Sequence, residues 1–201
     1  CLLYRTDHAV IIKIKTVALI LRGAISKVHK GYVHYPATQI SIQKHIVDKN
    51  PGYTFDFFIQ SWNGDLKDEL LKLYSPKAYR FDKNVKYFEL INSKPGEFGQ
   101  RSQALAIKFG IELMESSGKV YDIVMLYRPD VLLWGRDIIL DNYVDLDKVI
   151  YCNEHKKTCK GDLYFIMNYK NSLKFKNLFD FGISTVTHKW IKSWIKEINL
   201  I

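Results

Sequence analysis

Tyr121–Trp134 reads YDIVMLYRPDVLLW, and the fold turns on how this stretch is divided. Its first half is a short continuous apolar run, the pattern of a strand buried on both faces of a parallel sheet. Arg128, Pro129 and Asp130 then interrupt it, before Val131 to Trp134 resume the apolar character. Charged side chains are almost never fully buried unless paired, and proline cannot donate to a central ladder. A strand that only filled a core would have no use for this triplet. The reading is a strand that ends or breaks at Arg128-Pro129-Asp130, with both charges employed there.

Working outward, TVALIL (16–21) is a second buried strand ending in Arg22-Gly23, and YTFDFFIQSW (53–62) an aromatic-rich third. Between them ATQISIQKHIVDK (37–49) carries Ile40, Ile46 and Val47 at helical spacing and is stopped by Asn50-Pro51-Gly52. DLKDELLKLY (65–74) is a short amphipathic helix closed by Ser75-Pro76, followed by weaker strands around AYRF (78–81) and VKYFELI (85–91). SKPGEFG (93–99) is a loop by composition. The helix after it places Ala104, Ile107, Ile111 and Met114 on one face and ends at Gly118. VIYCN (149–153) and DLYFIMN (162–168) are two more strands around a lysine-rich connection. Strand and helix alternate, so the expected fold class is α/β: a Rossmann-like, mostly parallel central sheet with helices on both faces, in one domain. The core spans residues 15–180, and 185–201 form a C-terminal amphipathic helix.

Hydrophobic residues make up 47% and charged residues 25%, enough apolar side chains for a full core. Lys+Arg of 30 against Asp+Glu of 21 leaves a net charge of +9, which favours an anionic partner: a nucleotide, a nucleic acid, an acidic glycan or an anionic membrane face. The lysines are spread along the chain without a block, so no nucleic-acid arm is expected. Cys1, Cys152 and Cys159 are too few for a disulfide framework, and a reducing compartment is the default. Cys152, His155 and Cys159 lack the fourth ligand that structural zinc wants. No apolar run is long enough to cross a bilayer and no signal peptide is evident, so a soluble, cytoplasmic protein is expected.

Ligands in open α/β sheets collect beyond the carboxyl ends of the strands. Arg22-Gly23, Ser61-Trp62-Asn63 and Arg128-Pro129-Asp130 all fall at such ends. Together they offer an anion contact, a glycine for close approach, an aromatic platform and a carboxylate. A hard cation such as Mg²⁺ or Mn²⁺ takes carboxylate oxygens and keeps positions for phosphate. The arginine either neutralises a phosphate or holds the carboxylate ionised. Arg101 opens the long helix, where N-termini favour anions, and Asp162 opens a strand after Gly161.

KTVALILRG, FDFFIQSWN, Tyr74-Ser75-Pro76-Lys77 and the YDIVMLYRPDVLLW strand together resemble a group of GT-A-type glycosyltransferases found in bacterial surface-polysaccharide clusters and large DNA viruses. The resemblance covers roughly residues 15–180. It implies transfer of a sugar from a nucleotide-diphosphate donor to a hydroxyl on a glycan or glycoconjugate, assisted by Mn²⁺ or Mg²⁺. Asp130 becomes the metal ligand, Arg22, Gly23, Trp62, Arg101 and Arg128 the nucleotide-sugar contacts, and Asp162 the catalytic base, with Glu154 the other carboxylate in range. The chain departs from the group at Arg128, which stands where a D-x-D motif has its first aspartate.

Bland readings stand beside these. Arg128 and Asp130 fit a structural ion pair, Arg22-Gly23 a strand-to-loop turn, Trp62 a core aromatic, Arg101 a solvated arginine and Asp162 a turn residue. The alternative function is a nucleotide- or sugar-binding domain of the same fold without catalysis. The C-terminal helix carries Trp190, Ile191, Trp194, Ile195 and Ile198 on one stripe, which either docks on the core or makes a peripheral membrane contact.

Overall fold

The computed structural model describes residues 14–25, 35–83, 98–133, 135–156, 159–181 and 187–197, and the side chains among them except those at 98, 154–156, 159–161 and 187–190. Six strands form one sheet: β1 (Lys15–Gly23), β2 (Tyr53–Ser61), β3 (Ala78–Phe81), β4 (Ile123–Tyr127), β5 (Tyr151–Lys156) and β6 (Cys159–Met167), in the order β3-β2-β1-β4-β6-β5. The first four run parallel, and β6 lies antiparallel to both β4 and β5. The helices are α1 (Tyr35–Ile42), continued by a π turn over Gln43–Val47, α2 (Lys67–Tyr74), α3 (Phe98–Ser116), α4 (Tyr169–Phe175) and α5 (Thr187–Glu197). This is the Rossmann-like, mostly parallel α/β architecture with helices on both faces.

Strand alternation sorts the core into two layers. Ala18, Ile20, Phe58, Val124, Leu126 and Phe165 face α3, α4 and α5, which contribute Ala104, Ile107, Ile111, Phe175, Ile191 and Ile195. Val17, Leu19, Leu21, Ile59, Met125 and Ile166 face the other way, onto Ile42, Ile46, Leu70 and Tyr74 of the α1–α2 side. Gly110 lets α3 press onto β1: a Cβ there would stand 2.7 Å from Ile20 Cγ2, well inside ordinary carbon–carbon contact.

The strand in Tyr121–Trp134 stops at Tyr127, just before Arg128-Pro129-Asp130 as expected, and Val131 N–H closes a turn onto the Arg128 carbonyl at 3.2 Å. Other expectations are modified. The apolar residues after Pro129 belong to a separate segment fastened to the α1 side. The Thr38 hydroxyl donates to the Pro129 carbonyl, Ser41 Oγ accepts from Leu133 N–H, and Ile138 N–H bonds the His45 carbonyl. Asn50, expected only to stop a helix, is buried and gives its amide to the Ile46 and Ile138 carbonyls while accepting from Leu140 N–H. The two late strands form an antiparallel hairpin. Helix α4, not expected, is capped by Asn168, whose side chain accepts from Asn171 N–H at 2.8 Å. Of the stripe on α5, Ile191 and Ile195 are buried and Trp194 packs against the same core; the Trp190 side chain and Ile198 lie outside the described residues. The expected strand at 85–91 lies outside the described residues. No helix among the described residues is long and apolar enough to cross a membrane.

Candidate functional site

The strand order runs outward from β1 to β2 and β3, then resumes on the other side of β1 with β4. The crevice beyond the carboxyl ends of β1 and β4 is therefore the topological switch point, where open α/β sheets leave room for a ligand. Arg22 and Gly23 end β1, and Arg128 follows β4 directly. Alternation puts Arg22, Gln60 and Arg128 on the α3 face, in line with Ile20, Phe58 and Leu126. The last row of that face is thus polar, where the rows beneath it are apolar.

Arg128 organises the row. Its Nε and Nη2 donate to the two oxygens of Asp130 at 3.0 and 2.6 Å, and its Nη1 to Asp162 Oδ2 at 2.9 Å. The fork-shaped guanidinium suits this bidentate grip on a planar carboxylate. Hydrogen bonding to Asp130, joined by the charges of Asp130 and Asp162, raises the Arg128 pKa above its ordinary value despite partial burial. From the first turns of α3, Gln103 Nε2 donates to the same Asp162 oxygen at 2.5 Å. Asp162 is 9% exposed.

Arg22 lies deeper, 1% exposed. Its Nη2 donates to the Asp162 backbone carbonyl at 2.7 Å and its guanidinium packs over the Phe165 ring. Burial pushes its pKa down to about 10, the charge of Asp162 opposing and that of Arg128 adding to the effect. Arg22 Nε and Gln60 Nε2 are both buried without a hydrogen-bond partner, and the two residues are register neighbours on β1 and β2. The Gln60 side-chain oxygen Oε1 accepts from Gly23 N–H at 3.2 Å. Gly23 has φ of +124°, a conformation that side chains disfavour, and nothing lies within 4 Å of where its Cβ would be.

Arg22, the Arg128–Asp130 pair and Asp162, from three segments far apart in the chain, are therefore brought together, with Gly23 beside them. Among the described residues, Trp62 and Arg101 make contacts of another kind. Trp62 is buried against Phe109, Leu105 and Ala106, a core setting rather than an open stacking platform. Arg101 packs its guanidinium over Phe179. Gln103 was not anticipated. Its signal was positional: with Ile107, Gly110 and Met114 it continues the helix stripe facing the sheet, as the polar member at the strand-end side. The side chain of Glu154 lies outside the described residues.

The donor set can be weighed against a divalent cation. No group of three or more His, Cys, Asp or Glu residues is placed to hold a metal ion among the described residues. Two carboxylates, Asp130 and Asp162, share Arg128, which suits a Mg²⁺-like ion that takes one or two carboxylates and completes its shell with phosphate and water. Both Asp130 oxygens are held by the guanidinium, so a cation there would use their remaining lone pairs or take the place of Arg128.

No family model matches this chain, and no curated protein matches it. Among solved structures 36 chains match. One, PaToxG glycosyltransferase, is similar at a TM-score of 0.39 and 13% identity, over 92% of this chain and 68% of that one.

Proposed function

We propose that the chain is a GT-A-like glycosyltransferase domain that moves a sugar from a nucleotide-diphosphate donor to a hydroxyl of a glycan-type acceptor. The observation that carries this reading is the bridging of Asp130 and Asp162 by Arg128 at the switch point of the sheet. Strand-end pairs of this kind supply the two groups that the transfer needs, a counter-charge for the leaving diphosphate and a carboxylate for the acceptor. The motif resemblance of the β1, β2 and β4 segments supports the same reading.

Two arginines and two aspartates leave the cluster without net charge. A diphosphate entering it brings negative charge that must be offset, and turning Arg128 from Asp130 to a phosphate oxygen supplies one positive charge there. A Mn²⁺ or Mg²⁺ ion arriving with the donor would supply the rest and stabilise the leaving group, with Asp130 its protein ligand. If the transfer inverts the anomeric centre, Asp162 is its general base. Its carboxylate takes the acceptor hydroxyl proton as the oxygen attacks the anomeric carbon, and the bond electrons leave with the diphosphate. Gln103 and Arg128 hold that carboxylate in one orientation, and Arg22 fixes the backbone beneath it.

A screen of nucleotide-sugars by thermal shift, with and without Mn²⁺, tests the reading, because a bound donor stabilises the fold by mass action. A donor that shifts the transition and is turned over supports it. A donor that binds with no transfer or hydrolysis by the wild-type chain favours the second reading, a non-catalytic nucleotide- or sugar-binding domain, which the neutral, arginine-closed cluster also suits.

A further inference from the structure

Next to the charged cluster lies a cleft of about 720 Å³, within the roughly 300–1,000 Å³ usual for small-molecule sites. The segment after β4 forms one wall, with Leu133 and Arg136, and the β5–β6 hairpin the other, with Asn153, Leu163 and Tyr164; Tyr143 joins the lining. Val131 and Leu163, which also line it, directly follow Asp130 and Asp162, and Arg128 N–H donates to the Leu163 carbonyl at 2.9 Å. The cleft therefore begins one residue from each carboxylate. Its first wall is held by the bonds from Thr38, Ser41, Asn50 and His45, so the shape is built rather than left to a loose loop.

The polar groups of the lining are unequal. Asp137 is already committed, to His45 at 2.7 Å and Lys49 at 3.0 Å. The Asn153 side-chain oxygen accepts from Leu163 N–H, and the Tyr143 ring packs edge-on against Tyr151 with 5.0 Å between centroids. By contrast, the exposed Arg136 guanidinium has no ion-pair or hydrogen-bond partner among the described residues, and the Asn153 amide nitrogen has none either. What the cleft has to offer a ligand is donors, one of them charged, over tyrosine and leucine surface.

We infer that this cleft binds a sugar ring bearing an acidic group, the ring against the tyrosine and leucine walls and the anion on Arg136. As an acceptor site this rests on the transferase reading, with the reactive hydroxyl delivered toward Asp162. As a binding site it stands without that reading.

The test measures binding of D-glucose, D-glucuronate and D-glucose 6-phosphate to the full chain by ligand-observed NMR, in phosphate-free buffer at fixed ionic strength. One or both anionic sugars bind about tenfold more tightly than glucose, as expected for one charge-assisted contact, and the tighter of the two identifies the acidic group. Arg136→Gln brings the preference to within about twofold, and Arg136→Lys retains most of it. Arg136 is exposed, so neither variant threatens the fold. Equal binding of all three sugars overturns the inference, as does a preference that survives Arg136→Gln, or no binding of any sugar at millimolar concentration. If no nucleotide-sugar binds while the acidic preference and its dependence on Arg136 hold, the transferase reading falls and the cleft assignment stands.

Discussion

Arg128→Gln removes the group that holds Asp130 and Asp162 together, and its cost follows from the geometry. Three charge-assisted hydrogen bonds are lost, at 2.6, 3.0 and 2.9 Å, each of a kind that contributes about 1.5–3 kcal/mol when well shielded. The Arg128 side chain is 32% exposed, so water recovers part of that, and bonds sharing one donor group are not additive. A net loss of about 3 kcal/mol is expected, mostly from leaving two partly buried carboxylates without the guanidinium that bridges them. For a chain of this size that lowers Tm by roughly 6–12 °C. Arg128→Gln combined with Asp130→Asn is expected to be less damaging than the sum of the two, because the stranded charge has gone, with a coupling of about 1–2 kcal/mol. The sign with pH is fixed. The raised Arg128 pKa means its contribution is fully present at neutral pH. Thermal unfolding of the four proteins at neutral pH measures all of this. A single variant within about 2 °C of wild type at neutral pH, with no coupling to Asp130, would refute the claim that Arg128 holds this site together.

Asp162→Ala should lower turnover on the order of a hundredfold or more with donor binding retained; near-normal transfer would remove Asp162 from the role of base. Gly110→Ala should destabilise despite the higher helix propensity of alanine, about 1 kcal/mol, because its Cβ meets Ile20 at 2.7 Å and overpacking costs roughly 1–3 kcal/mol; Ile20→Ala in the same chain should relieve the clash, and denaturant titration of the pair reports it. At the opposite end of the sheet, burial pushes the Asp56 pKa up, but hydrogen bonds from Lys119 and Tyr121 and the charges of Lys119 and Lys77 outweigh it, so the pKa is lowered. A depressed carboxylate contributes stability above the unfolded value, about pH 4, and loses it as pH falls through the folded one. Asp56→Asn should therefore show its deficit at neutral pH and converge with wild type in strong acid, and parallel pH–stability curves would contradict the assignment.

The sequence by itself determined the frame. The apolar runs at TVALIL, at FDFFIQ within β2 and at IVMLY are strands because a short run of apolar side chains can only be covered on both faces, and the intervening helical periods place helices there. Charge at the end of such a run was legible for the same reason: Arg22, Arg128 and Asp130 had nowhere to be buried unpaired. Asp162 stood out less, and from the resemblance more than from its surroundings. Tertiary structure decided the partners. That Arg128 grips both Asp130 and Asp162 depends on β6 lying antiparallel beside β4, a pairing between segments whose order in the sheet no local pattern encodes. Burial of Arg22 beneath the Asp162 carbonyl, the packing of Trp62 into the α3 core and the approach of Gln103 all follow from how α3 settles on β1 over Gly110. The cleft at Arg136 is the clearest case. Its walls come from a segment after β4 and a hairpin further along the chain, and they face one another because Thr38, Ser41 and Asn50 tie the first of them down. Each of those ties is an ordinary polar residue in a helix or turn, and only its distant partner gives it a role.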